Sequence, residues 1–364
     1  MRFNPVLESI QTYEAGKPIE LVVREFGIEA KDVVKLASNE NPFGPSPKVA
    51  AAVAAMADQM HRYPDDSFYA LKEGLSSCFG VQPSELIIGA GSDQIFDFIT
   101  RALLGPGDVV LQNRVTFAMY AIYAAQVGAR VVSTTSDTHD LAQFEALMRE
   151  HNPKLIYLCT PSNPAGDALD AQAVYDFLGR VPAETLVVVD GAYMEYAAYR
   201  DEAKRIEPAD LIARFPNTIY TGTFSKAYGL GGMRVGYGIA QAEIIQALLK
   251  MRPPFNITNL SAAAAVAALE DGAHIAKSLK HNFAQMDRYE AFADEMGLGF
   301  IPSYTNFIAL LFSEAGEASL MAQKLLREGV IVRDLKSYGL NAIRVTIGLE
   351  AENDRFFDRF KGAN

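Results

Sequence analysis

Short apolar runs recur along this chain, and helical patterns follow most of them. Leu86-Ile-Ile88 is one such run. After a turn, Ile95, Phe98, Ile99, Ala102 and Leu103 fall at helical spacing and mark one apolar face. Val109–Gln112, Arg130–Ser133, Leu155–Cys159, Leu186–Asp190 and Thr218–Thr221 read as further strands, with a helix over Phe117–Ala125. The runs at 155 and 186 are near-continuously apolar, the second ending in the carboxylate of Asp190, as in strands covered on both faces. Strands alternating with helices predict βαβ units and a mostly parallel sheet with helices on both faces, an α/β fold.

The pattern differs at the two ends. Residues 1–35 form an amino-terminal arm, in which Ile19–Phe26 reads as a short helix ended by Gly27. Ser38–Pro47 is rich in Asn, Gly and Pro, so it is irregular, and a helix over about Pro47–Met60 follows. Pro253-Pro-Phe-Asn256 breaks the alternation. Helices over Ser261–Leu269 and about His274–Met296 come next, then an alternating strand at Phe307, Ala309 and Leu311. A helix over about Ala318–Glu328 leads to strands holding Arg333 and Arg344. This predicts a large domain over 36–255 and a smaller α+β carboxyl-terminal domain over 256–364. A chain of 364 residues exceeds the usual size of one core, which agrees with two domains.

Composition narrows the function classes. Lys+Arg 33 against Asp+Glu 44 leaves a net charge of −11, which argues against a nucleic-acid partner. Cys78 and Cys159 give no disulfide framework, and Cys159 ends an apolar strand as an inert core thiol. Five scattered histidines show no metal-ligand spacing, so no metal is expected. No basic-then-apolar leader and no membrane span can be read, so the cytoplasm is the simplest location.

The chemistry concentrates in Thr223-Phe-Ser-Lys-Ala-Tyr-Gly-Leu-Gly-Gly-Met-Arg-Val-Gly-Tyr-Gly238. Lys226 stands beside the hydroxyls of Thr223 and Ser225, and glycines and Arg234 follow. A lysine that bonds covalently to a phosphorylated aldehyde needs such neighbours. Hydroxyls and guanidinium hold the phosphate, and positive charge nearby lowers the amine pKa. Asp190 ends its strand at the carboxyl edge, where ligands bind in open α/β sheets, with Tyr193 just after it. Asn163 lies in the turn-rich Thr160–Gly166 segment. A carboxylate keeps a pyridine nitrogen protonated, and the Asn amide and Tyr hydroxyl suit a ring oxygen. By spacing alone, Gly91-Ser92-Asp93 serves equally as a helix cap or an anion site. A dinucleotide loop fits poorly, because Gln94 stands where a third glycine is expected. Phe117 alone reads as core, and Arg333 and Arg344 as edge charges.

These motifs together resemble the fold-type I aminotransferases that use pyridoxal 5′-phosphate, and within them the histidinol-phosphate branch. The resemblance also rests on Tyr13-Glu-Ala-Gly-Lys-Pro18, Ser38-Asn-Glu-Asn-Pro-Phe-Gly-Pro-Ser-Pro47, Arg62-Tyr-Pro-Asp65, Gly89-Ala-Gly-Ser-Asp93, Ser162-Asn-Pro-Ala-Gly166, Asp190-Gly-Ala-Tyr193 and Ile343-Arg-Val-Thr-Ile-Gly348. It implies a catalytic Lys226 and cofactor contacts from Gly91, Ser92, Asp93, Phe117, Asn163, Asp190, Tyr193, Thr223, Ser225 and Arg234. It implies a homodimer in which Tyr63 reaches the partner subunit's cofactor. Tyr13, Asn41, Arg333 and Arg344 are implied as substrate contacts. The implied reaction moves an amino group between L-histidinol phosphate and 2-oxoglutarate, giving imidazole acetol phosphate and glutamate, in histidine biosynthesis. An aromatic-amino-acid aminotransferase on the same scaffold is the alternative. Three positions depart from the family pattern. Val115 stands for a proline, Ala165 for a threonine and Gly191 for a glutamate, and the last two remove hydrogen bonds near the cofactor.

Overall fold

Thirteen strands form three sheets in the computed structural model, which describes residues 1–10, 12 and 18–363. In chain order they are β1 Val34–Lys35, β2 Leu86–Gly89, β3 Val109–Gln112, β4 Arg130–Ser133, β5 Leu155–Cys159, β6 Leu186–Asp190, β7 Thr218–Thr223, β8 Gly236–Ala240, β9 Gly299–Ile301, β10 Phe307–Leu311, β11 Val330–Ile331, β12 Arg333–Asp334 and β13 Ala342–Thr346. Tyr13 lies outside the described residues.

The seven-stranded sheet runs β2-β8-β7-β6-β5-β3-β4. Neighbours from β7 through β4 pair in parallel, because a helix carries the chain back between each successive strand. Residues 224–235 join β7 to β8 without an α-helix, so β8 returns antiparallel to β7 and also to β2. The sequence pattern did not show β8, since Gly236 and Gly238 weaken the strand signal.

Alternation along each strand fills two cores. Leu86, Ile88, Leu111, Ile156, Leu158, Val187 and Val189 pack on one face. Ile87, Val110, Leu155, Tyr157, Cys159, Val188 and Ile219 pack on the other. Both faces are covered, which is why these runs are almost wholly apolar. On the helix Ser92–Leu103 the buried face holds Ile95, Phe96, Phe98 and Ile99, whereas the expected Ala102 is exposed.

The second sheet is antiparallel, in the order β12-β13-β10-β9. Ile308, Leu310, Ile343 and Val345 bury into a core with the helices Gly272–Met296, Glu317–Arg327 and Glu350–Ala363. Ala309 and Ala342 face the opposite way and pack with Val115 and Ala165 of the large-sheet loops. β10 was expected to alternate between buried and exposed, yet Phe307 through Leu310 are all buried, because this sheet too is covered on both sides. By the same alternation Arg344, between Ile343 and Val345, points toward the large sheet.

Two connections tie the parts together. β1 pairs in parallel with β11, so residues at the end of the expected arm belong to a small sheet. The alanine-rich helix Asn259–Leu269 packs Ala264, Ala265 and Ala268 into the large-sheet core, although it lies just beyond the expected boundary at 255. Among the described residues no helix is long and apolar enough to cross a membrane.

Candidate active site

The carboxyl ends of the parallel strands converge on a cavity of about 130 Å³. Gly91, Ser92, Asp93, Phe117, Asn163, Asp190, Tyr193, Thr223, Ser225, Lys226 and Arg234 line it, together with Cys159 and Ala192. Eleven residues singled out from sequence as cofactor contacts thus meet in one place, on strand ends, loops and one helix start of the large sheet.

On the β2–β7 side the cavity is built for an anion. Gly91 precedes the helix Ser92–Leu103, which has no side-chain cap on its first N–H groups. Gly91 has φ 78°, and a Cβ there would meet Arg234 Nη2 at 2.7 Å, so the guanidinium approaches the turn as only glycine allows. Thr223 Oγ1 lies 3.0 Å from Ser225 Oγ and accepts from Ser225 N at 3.2 Å. Gln94 explains the missing third glycine. Its Oε1 accepts from Ala90 N at 2.8 Å and from Asn256 Nδ2 at 2.7 Å, which ties down the turn.

Over β6 the cavity offers a carboxylate. Asp190 is buried in register with Cys159 on β5 and Thr221 on β7. Its Oδ2 accepts from the Tyr120 hydroxyl at 2.5 Å, and its Oδ1 from Ala192 N at 3.1 Å and Thr221 Oγ1 at 3.2 Å. Burial holds the carboxyl above its usual range, and these donors and Lys226 offset only part of that. A carboxylate held in this way suits a cationic group on a ligand. Tyr123, one helical turn after Tyr120, donates to Asp93 Oδ2 at 2.8 Å.

Lys226 follows β7. Burial first, then the Arg344 and Arg234 guanidinium groups, bring its pKa down to about 8. The sequence pointed to nearby positive charge, and the structure puts burial ahead of it. The amine lies 5.7 Å from the Tyr193 ring centroid. Tyr193 Oη accepts from Asn39 Nδ2 at 2.8 Å, which leaves its own O–H free to donate. Burial holds that hydroxyl well above the ordinary tyrosine range, so it stays protonated.

The expected substrate residues are distributed differently. Arg344 is buried, and its Nη1 donates to Asn163 Oδ1 at 2.5 Å and its Nη2 to Ala37 O at 2.7 Å. Arg333 is the direct cross-strand neighbour of Arg344 and lines a separate cavity of about 590 Å³ with Arg114, Tyr338 and the shared Phe117. Asn41 does not line the site cavity. Its Nδ2 donates to Ala227 O at 2.9 Å and Ser278 Oγ at 3.0 Å, and its Oδ1 accepts from Phe43 N. It therefore fixes the residue after Lys226. Tyr63 stands 82% exposed with its ring stacked on Phe255 at 4.7 Å, away from its own chain's cavity. Sequence reasoning missed Asn39, Tyr120, Thr221 and Gln94. Asn39 lay inside a quoted motif, and nothing in the local pattern marked the other three as site partners.

Comparison with known proteins gives consistent matches. The family model for aminotransferase class I and II matches residues 31–360. A histidinol-phosphate aminotransferase of Wolinella succinogenes is 58% identical over 98% of each chain. One of Sulfurovum is 55% identical over 99% of each. A crystal structure of histidinol-phosphate aminotransferase from Sinorhizobium meliloti in complex with pyridoxal-5′-phosphate superposes with a TM-score of 0.91. It is 29% identical and covers 100% of this chain and 98% of that one.

Proposed function

The chain belongs to the class I and II aminotransferase family, and from that premise we propose how its cavity carries the reaction. The protein is a pyridoxal-phosphate-dependent aminotransferase that acts on L-histidinol phosphate in histidine biosynthesis. The acceptor is 2-oxoglutarate, and the products are imidazole acetol phosphate and glutamate. The working unit is a cytoplasmic homodimer, in which Tyr63 completes the neighbouring subunit's anion cradle.

The donor set fits the cofactor. Ser92 at the helix start, Thr223, Ser225 and Arg234 would hold its phosphate, Asp190 its ring nitrogen, and Tyr193 and Asn163 its ring oxygen. Phe117 would lie against the ring face. When bound, pyridoxal phosphate supplies an aldehyde that captures amines and a cationic ring that withdraws electrons.

The protein's own groups do the rest. Lys226 Nζ is the covalent anchor. The same amine would move a proton at the carbon bearing the substrate amine, and a pKa of about 8 suits both directions of transfer. Buried Asp190 would keep the ring nitrogen protonated, its charge little screened by solvent. Arg344 receives the anionic end of both substrates, because its fork fits carboxylate and phosphate alike. Arg333, from the adjoining cavity that shares Phe117, and Tyr13 would complete the phosphate contacts.

One observation carries this reading: an amine, an anion cradle and a buried carboxylate share one small cavity. A substrate panel assayed with 2-oxoglutarate in single-turnover mode tests it. Histidinol phosphate should react far faster than unphosphorylated histidinol or phenylalanine. Equal rates would hand the site to the aromatic alternative.

A further inference from the structure

Tyr120 reaches the site from behind. It belongs to the helix Met119–Gln126, is fully buried, and does not line the cavity. Its hydroxyl approaches Asp190 at 2.5 Å, closer than either donor to the other carboxylate oxygen. Its ring is clamped by aromatics. Tyr157 stacks on it at 4.1 Å with planes 6° apart, and Phe96 and Phe117 meet it edge-on at 5.1 and 5.6 Å. A ring held this way has one place to put its hydroxyl. Tyr120 therefore touches two cavity-lining groups at once, the Asp190 carboxylate and the Phe117 ring. Burial keeps the phenol protonated, so it donates throughout the working pH range. Its donated hydrogen bond also opposes the effect of burial on Asp190.

We propose that Tyr120 is a positioning residue for the transamination, acting through Asp190 by holding that carboxylate ionised and oriented toward the cofactor ring. The proposal rests on the reading above that Asp190 meets the ring nitrogen. A carboxylate with fewer donors is more basic, so it takes the shared proton back from the ring and weakens the electron sink.

The test compares wild type, Tyr120→Phe, Asp190→Asn and the double variant. Phenylalanine keeps the stacked ring and deletes only the hydroxyl. Pyridoxal phosphate is titrated into each cofactor-free protein, and Kd is read from visible absorbance. Separately, kcat and KM are measured for the loaded enzymes. Tyr120→Phe should lower kcat about 10- to 100-fold, the scale of one hydrogen bond to a charge, with KM for 2-oxoglutarate nearly unchanged. It should weaken cofactor Kd about 2- to 10-fold. In the Asp190→Asn background the same change should do almost nothing to either quantity, because the group it acts through is gone. Tyr157→Phe, which removes a buried phenol not bonded to Asp190, should match wild type. The proposal is overturned if Tyr120→Phe leaves kcat and Kd unchanged, or if its effect repeats in full beside Asp190→Asn. An Asp190→Asn protein with wild-type rate and affinity would instead overturn the underlying placement of Asp190, and the proposal with it.

Discussion

Arg344 can be split into its charge and its shape. The strand places it facing the large sheet, where its two terminal nitrogens bond Asn163 and the Ala37 carbonyl. After burial it is the leading cause of the low Lys226 pKa of about 8, against an ordinary 10.5. At pH 7 an amine of pKa about 8 is neutral in about one molecule in ten. At 10.5 the fraction is about one in 3,000, so the environment supplies roughly 300-fold more reactive amine. Arg344→Gln removes the charge and the fork. Arg344→Lys keeps a charge and loses the fork. The assay mixes cofactor-free protein with pyridoxal phosphate across neutral to alkaline pH and follows the rate of covalent capture. That rate climbs as pH rises through the Lys226 pKa, because only the neutral amine attacks. The Gln variant should climb at higher pH, and a midpoint moved up from pH 8 to pH 9 leaves about tenfold less neutral amine at pH 7. The Lys variant should climb near the wild-type midpoint, yet its 2-oxoglutarate half-reaction should slow about 10- to 100-fold for want of a bidentate contact. A Gln variant with the wild-type midpoint would refute the coupling. A Lys variant with a normal half-reaction would refute the fork.

Lys226→Ala should lose transamination and the borohydride-fixed attachment of cofactor while its far-ultraviolet circular dichroism stays native; cofactor fixed on another lysine would contradict the assignment. Mixing Tyr63→Ala with Lys226→Ala should raise activity above the sum of the two, since one site of each mixed dimer carries both native residues. Full activity of a dilute monomer, judged by sedimentation, would exclude the shared site. Gly91→Ala puts a methyl group against Arg234 Nη2 at φ 78° and ψ 168°, backbone that essentially only glycine adopts, so the displaced guanidinium should weaken cofactor affinity about tenfold, the scale of one charge-assisted contact of about 1.5 kcal/mol. An unchanged Kd by absorbance titration would show that the turn does not hold the phosphate.

Much of this fold was legible because its strands are buried on both faces and its helices are amphipathic. Leu155–Cys159 and Leu186–Asp190 needed no partner information to be read. What stayed hidden depended on contacts distant in sequence. β1 and β11 are two residues each and exist only by pairing with one another. Tyr120 lies 70 residues from Asp190, and only the packing of its helix against the sheet joins them. Asn41 is placed differently from the expectation. Its amide bonds Ala227, Ser278 and Phe43, and its neighbour Asn39 makes the contact to Tyr193.

The three departures from the family pattern also look different once their neighbours are known. Val115 and Ala165 are both fully buried, and they share one apolar cluster with Ile301, Ala309, Leu335, Leu340 and Ala342. That cluster joins the loops bearing Phe117 and Asn163 to the strands near Arg333 and Arg344. A threonine hydroxyl at 165 would enter this apolar cluster, where burying it without a partner costs about 1–3 kcal/mol. Alanine adds no polar group to this cluster. At Gly191, a Cβ would collide with the hydroxyl end of Tyr220. The space a glutamate side chain would leave through is occupied by that tyrosine, so the two positions are coupled. Gly191 donates its own N–H to Thr221 O at 2.9 Å and leaves Asp190 with its donors from Tyr120, Ala192 and Thr221. Packing thus occupies position 165, and the Tyr220 ring occupies the space beside 191. Gly191→Glu alone should be far more damaging than the same change made together with Tyr220→Ala, measured as retained cofactor Kd.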